Sequence, residues 1–169
     1  MTTNPVIPPE FIDPVDFVHY ASNADTRVRR RSIEALEQQV MKMDQVEIPV
    51  KHYFCGDMYA REILIPKGTL LTGAIHKFDH IEVMAYGDLT VSTDDGSVKR
   101  VTGYNLFESV SGKKRAAYAH EDTLWINFHS SPAQDPEAMR GYLTCNSFDE
   151  YELFQERLAL AIQTIENEE

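Results

Sequence analysis

The stretch that decides the fold is GTLLTGAIHKFDHIEVMAYG, residues 68–87, in which short apolar runs alternate with turn residues. A glycine stands at each end of it, and two histidines, His76 and His80, stand between them. The same rhythm extends over residues 46–130, where runs rich in Val, Ile, Leu, Tyr and Thr are separated by turn signals such as Asp94-Asp-Gly96. Short strands at regular spacing with turn chemistry between them predict an all-β sandwich or barrel.

Helical patterns flank this β-rich centre on both sides. Ile33, Leu36 and Val40 recur at spacings of three and four, which places them on one face of a predicted helix. Ser147, with Glu150 three residues later, is a predicted capping box, and an apolar stripe interpreted as packing surface follows it. Before the first helix, four prolines predict an extended arm that docks on its own barrel or on a neighbouring subunit.

These patterns predict a single domain made of four segments in sequence. They are an extended Pro-rich arm, an N-terminal helix, a barrel and a C-terminal helical segment, at residues 1–22, 23–45, 46–130 and 131–169.

The chain is strongly acidic, with a formal net charge of -11 and a pI near 4.9. Such a surface repels phosphate backbones and anionic lipid, so we expect no nucleic-acid partner and no membrane partner. A basic cluster at Arg27–Arg31 runs against this balance, and we interpret it as a solvated helix face. The N-terminal residues lack a signal-peptide core, and no stretch approaches a membrane span in length, so a cytoplasmic protein is expected.

The spacing within residues 68–87 resembles the first sequence motif of the cupins. That motif reads glycine, five residues, His-x-His, three or four residues, Glu, six residues, glycine. A weaker resemblance to the second cupin motif lies at residues 110–115, where the length from Gly103 differs by one residue. The resemblance implies a cupin or jelly-roll fold of the RmlC-like type. This is an all-β double-stranded barrel, here with an N-terminal helix and a C-terminal helix.

Further segments of the sequence resemble a group of small phage-encoded cupin-like proteins without an agreed activity. The segments that carry this resemblance are residues 43–52, 59–62, 65–68, 75–77 and 118–125. It implies a phage source, with a location in the cytoplasm of an infected bacterial host or in the virion. Virion proteins are then among the implied partners.

Metal-binding cupins take three His and one Glu from the two motifs, and the resemblance places Ala74, His76, His80 and Arg115 at those four positions. Alanine cannot bind a cation and a guanidinium repels one, whereas zinc, iron or manganese usually need three protein ligands. No cofactor is therefore expected, unless a divalent transition metal recruits a further ligand. The candidates are Asp79, if its loop turns inward, and His120, which a continuous strand would point to the opposite face from Arg115.

Arg115 is the main reason to predict a ligand site. The resemblance implies that its side chain points into the barrel, where a charge is costly unless it is paired. Either an internal carboxylate, Glu62 or Glu82, or an anionic ligand would satisfy the guanidinium. The implied ligand-binding residues are His76, His80 and Arg115.

The sequence leaves three functions open. The first, which we favour, is a cupin-like protein that binds a small anionic or polar molecule, without catalysis, as a homo-oligomer (a dimer or higher). The second is a phage virion or assembly protein that uses the barrel as a scaffold. The third is a metal-dependent cupin enzyme with atypical ligands among His76, His80, Asp79 and His120. No catalytic residue can be assigned, although a metal-free histidine could act as an acid or base.

Overall fold

The computed structural model describes residues 13–167. Four helices are formed in these residues: α1 (Pro14–Tyr20), α2 (Thr26–Val40), α3 (Pro136–Leu143) and α4 (Phe148–Glu166). The strands of the same residues are β1 (Val50–Cys55), β2 (Met58–Ile65), β3 (Leu70–Thr72), β4 (Ile75–His76), β5 (His80–Ser92), β6 (Val98–Thr102), β7 (Asn105–Ser109), β8 (Ala116–Ser130) and β9 (Thr144–Cys145). No helix among them is both long enough and apolar enough to cross a membrane.

Seven strands form one antiparallel sheet in which β5 and β8 are the long central members. The hydrogen-bonded order is β1-β2-β8-β5-β6, with β3 pairing with β8 and β7 pairing with β5, while β4 and β9 form a separate small sheet. Within residues 13–167, β1 and β6 end this path without pairing with each other. The predicted antiparallel β core is confirmed, but the predicted closure is wrong. The sheet stays open because each of its end strands, β1 and β6, pairs on one side only within residues 13–167.

β5 bends near Gly87, where its pairing with β8 changes register in three steps between Met84 and Leu89. Gly87 has a φ of +127°, which side-chain-bearing residues rarely adopt, and a Cβ there would collide with Thr123. Such irregular pairing re-aims a strand. The first half of β5 pairs with β7 and the second half pairs with β6.

The helices at both ends of the chain are confirmed. Asp25 caps α2 by accepting hydrogen bonds from the amides of Arg27 and Val28. The predicted capping box of α4 is also present, because the Ser147 hydroxyl accepts a hydrogen bond of 3.1 Å from the Glu150 amide.

The predicted extended arm is wrong over part of its length. Pro14–Tyr20 is a helix with a proline at its start, a position where proline is tolerated because that N–H has no helical acceptor. Asp13 caps this helix, and Val18 is fully buried within the fold. The part of the predicted arm before Asp13 lies outside the described residues.

The helices also contribute to the hydrophobic core, so the description as an all-β core is corrected. One cluster joins α1, α2 and α4 to the strands through Ala21, Ile33, Leu36, Ile75, Ala116, Cys145 and Phe148. A second cluster lies between strands and consists of Ile65, Met84, Leu89, Ala119 and Trp125. A third joins β2 to α3 through Tyr59, Met139 and Leu143. The fold is a mixed one: an antiparallel β core with helices packed against it.

Candidate functional site

A central cavity of about 650 Å³ lies between the strands, and α3 and the start of β9 border it. Its volume is that of a pocket for a small molecule. The polar and charged residues that line it include His52, Arg61, His76, Glu82, Lys113, Arg115, Asn127, His129, Glu137 and Arg140. Its apolar lining includes Ile63, Ile65, Leu71, Leu89 and Trp125.

Strand register brings polar residues together on the inner face of the sheet. Tyr59 and Arg61 of β2 pair with His129 and Asn127 of β8. Glu82 of β5 pairs with the same Asn127 from the other side. Because alternate residues of a strand share a face, His80 then lies beside His129.

Three histidines converge at this point: His76 from β4, His80 from β5 and His129 from β8. One ring nitrogen of each lies within 4.8 Å of a ring nitrogen of the other two. The ring centroids are 4.2 Å apart for His76 and His80 and 4.4 Å apart for His80 and His129. We call these three residues the histidine cluster.

The hydrogen bonds of the cluster leave ring nitrogens free. His80 Nδ1 lies 3.1 Å from the Phe78 carbonyl oxygen, which can only accept, so Nδ1 carries a proton. Nδ1 of His76 and Nδ1 of His129 are buried and have no hydrogen-bond partner among the described residues. Buried polar atoms without partners are rare in folded proteins and call for an explanation, such as a bound ion.

Burial sets the protonation of two of these rings. Burial, followed by the neighbouring His80 and His129, lowers the pKa of His76 to about 3. Burial, followed by His80, lowers the pKa of His129 to about 4. Both rings are therefore neutral near pH 7, which is the state in which imidazole binds metals.

Glu82 connects the histidine cluster to Arg115. Its Oε1 lies 3.3 Å from His80 Nε2, and its Oε2 accepts a hydrogen bond from Arg115 Nη1. Burial alone would raise the pKa of Glu82, but the hydrogen bond with His80 and the charge of Arg115 outweigh it and lower that pKa. Asn127 Nδ2 lies 3.4 Å from His80 Nε2 and 3.5 Å from Glu82 Oε1, which orients both groups.

The structure brings together the three residues of the predicted ligand site. His76 and Arg115 line the central cavity, and the fully buried His80 side chain lies behind its wall. Arg115 takes Glu82 as its carboxylate partner, one of the two predicted. The other, Glu62, forms its ion pair with Lys51 at 3.3 Å instead.

The other two predicted metal ligands lie outside the histidine cluster. Asp79 is exposed, and its carboxylate accepts a hydrogen bond of 2.7 Å from the Ser111 amide, so its loop does not turn it inward. His120 Nε2 lies 2.7 Å from the Thr90 hydroxyl, and its ring meets Tyr118 edge to face. The residue that completes the cluster is His129, which the motif spacing did not indicate. The signal that could have found it is the alternation of Trp125, Asn127 and His129 along one strand face.

Comparison with known proteins gives similarity at the level of solved structures. No family model matches the sequence, and no curated protein matches it. The structure of KdgF from Halomonas sp. is 23% identical and is matched over 56% of this chain and 88% of that chain, with a TM-score of 0.45. The Cupin_2 domain of an XRE family transcriptional regulator from Enterobacter cloacae is 16% identical, over 51% of this chain and 98% of the other, with a TM-score of 0.42. An RmlC-like cupin from Shewanella frigidimarina is 22% identical, over 54% of this chain and 87% of the other, with a TM-score of 0.42. About half of this chain is thus similar to solved structures that include members of the cupin superfamily.

Proposed function

We propose that this chain is a cupin-fold protein that binds a divalent transition metal through His76, His80 and His129. The supporting observation is the convergence of three imidazoles, two of which keep a buried Nδ1 without a partner among residues 13–167. Imidazole suits zinc, copper, iron and nickel. Three protein ligands leave a coordination position open for another molecule in the cavity.

The donor set fits a metal better than it fits a purely structural role. A buried nitrogen left without a hydrogen bond costs about 1–3 kcal/mol, and two such atoms belong to rings of the histidine cluster. Coordination of a metal by these two nitrogens would satisfy both atoms.

Arg115 does not oppose a cation here. A lone guanidinium would repel a metal, but this one is paired with Glu82, whose pKa is lowered so that it stays ionised. The carboxylate therefore neutralises the guanidinium, so the pair brings no net positive charge to the cluster.

The chain's own residues orient the ligands. The Phe78 carbonyl oxygen accepts a hydrogen bond from Nδ1 of His80, a usual outer-shell arrangement for a metal-binding histidine, and Nε2 of the same ring lies 3.3 Å from Glu82 Oε1. Asn127 fixes the same ring from the side. When bound, the metal would act as a Lewis acid toward an oxygen atom of a molecule in the cavity.

The proposal is tested by metal content. Protein purified without a metal-affinity tag is loaded with Zn(II) or Co(II), dialysed and measured by elemental analysis and by visible absorption of Co(II). About one equivalent is expected for the wild type, with a Co(II) spectrum of nitrogen ligation. His129→Ala should lose most of the metal, because two ligands rarely hold zinc.

His120→Ala is the matched control, because that ring lies on the same strand as His129 but bonds to Thr90. It should keep the wild-type metal content. Circular dichroism of the metal-free variants shows whether each is folded. The proposal fails if the folded wild type retains less than about a tenth of an equivalent, or if His129→Ala and His120→Ala retain the same amount.

A further inference from the structure

Arg61 is a cavity cation that has no counter-ion among the described residues. It lies on the inner face of β2, it is half-buried, and it lines the central cavity. Two other cations of the cavity wall have carboxylates of their own: Lys113 pairs with Asp94 at 2.5 Å, and Arg115 pairs with Glu82. Within residues 13–167, no carboxylate and no hydrogen-bond acceptor contacts the Arg61 guanidinium.

The surroundings of Arg61 favour an anionic partner. Burial lowers the pKa of Arg61, an effect that Tyr59 opposes and Arg140 reinforces. A guanidinium nevertheless stays protonated in proteins, so its charge persists in the cavity. Arg140 lines the same cavity and adds a second positive charge, whereas Glu137 adds one negative charge to the lining. A cavity of this sign within a chain of net charge -11 favours an anionic ligand.

The residues next to Arg61 indicate the rest of the ligand. Ile63 and Ile65 follow it on the same face of β2, and Trp125 pairs with Ile63. All three line the cavity and belong to, or pack against, the apolar cluster between the strands. A guanidinium beside an aliphatic and aromatic wall suits a molecule with one anionic group and an apolar body.

We infer that Arg61 binds the carboxylate of a small monocarboxylic acid whose hydrocarbon or aromatic body lies against Ile63, Ile65 and Trp125. This inference rests on the proposed function in that the acid shares its cavity with the metal of the histidine cluster. Two parallel N–H···O bonds from the guanidinium fork would fix the carboxylate. The apolar wall would exclude anions without an apolar part, such as inorganic phosphate.

The test compares charged and uncharged probes of one shape. Calorimetry measures the binding of two carboxylates, hexanoate and 3-phenylpropionate, to metal-loaded and to metal-free protein. Hexanol and 3-phenylpropanol are the uncharged counterparts of these acids. Inorganic phosphate is the anion without an apolar part. The wild type should bind at least one of the two carboxylates, and bind it more tightly than its alcohol and than phosphate. Arg61→Gln should weaken that binding about tenfold or more, because a charge-assisted pair is lost. Arg31→Gln, which removes an exposed arginine of α2, should leave it unchanged.

Co(II) content separates this inference from the metal proposal. Arg61→Gln should keep the wild-type Co(II) spectrum and fold, because Arg61 is not a ligand. If the wild type binds no metal but binds the carboxylate through Arg61, the proposed function fails and the carboxylate site stands. The inference is overturned if the wild type and Arg61→Gln bind the carboxylate with equal affinity. It is also overturned if the wild type binds phosphate more tightly than either carboxylate, or binds neither carboxylate.

Discussion

Arg115 and Glu82 form an ion pair that is mostly removed from water, with 19% and 8% of their side chains exposed. Arg115→Ala is expected to lower the free energy of unfolding by roughly 3–5 kcal/mol, because it leaves a buried carboxylate without its partner. Urea denaturation of the metal-free protein measures this loss. The double variant Arg115→Met with Glu82→Gln should recover most of it, since no charge then stays unpaired. A loss for Arg115→Ala below about 1 kcal/mol, the range of exposed pairs, would contradict this account.

For individual residues, the sequence predicted those positions that depend on spacing within one motif. His76 and His80 lie within one motif, so their proximity follows from a few residues of strand and turn. His129 lies 49 positions after His80, and only the pairing of β5 with β8 brings the two rings together. Asp79 could not be placed from its spacing, because the direction of its side chain depends on the Ser111 amide of another loop.

Gly87 is expected to be essential to the bend of β5. Gly87→Ala should destabilise the fold by more than about 3 kcal/mol, because the strained φ adds to a collision with both the backbone and the side chain of Thr123. Gly103→Ala is the matched control. Gly103 also has a positive φ, of +66°, but nothing lies within 4 Å of its Cβ position, so only about 1–2 kcal/mol should be lost. Thermal or urea unfolding of both variants gives the comparison, and equal losses would show that the contact with Thr123 adds no cost at position 87.

Element prediction succeeded where the pattern was long. The α2 stripe, the capping box of α4 and the strand-rich centre all correspond to elements of the structure. α1 was missed because proline was interpreted as a helix breaker, although at the first helical position it is compatible with a helix. β9 has two residues and exists only through its pairing with β4, so no sequence period could reveal it. Closure of the barrel likewise depends on which strands pair across long sequence distances. The alternation of apolar and polar residues within one strand does not encode that pairing.

The whole molecule is predicted to form a homo-oligomer, and α4 offers a surface for it. The apolar stripe predicted on this helix is covered near its start, but Leu158, Ile162 and Ile165 are 40%, 48% and 63% exposed. We expect a dimer or larger assembly that covers them, because exposed apolar stripes of this kind favour association. Multi-angle light scattering over a concentration series measures the mass. A constant mass of 19.3 kDa would contradict the prediction, and Ile162→Gln with Ile165→Gln should shift the assembly toward that mass.

The small sheet of β4 and β9 has a consequence for how the site can be studied. His76 pairs with Thr144 in this sheet, and the Lys77 amide donates a hydrogen bond of 2.8 Å to the Leu143 carbonyl. The imidazole of His76 is therefore positioned by β9, a strand that follows all seven strands of the main sheet in the sequence. Cutting the chain after residue 130 would remove the backbone that anchors this ring, so the strand-rich centre in isolation is a poor substitute for residues 1–169 in any measurement of binding.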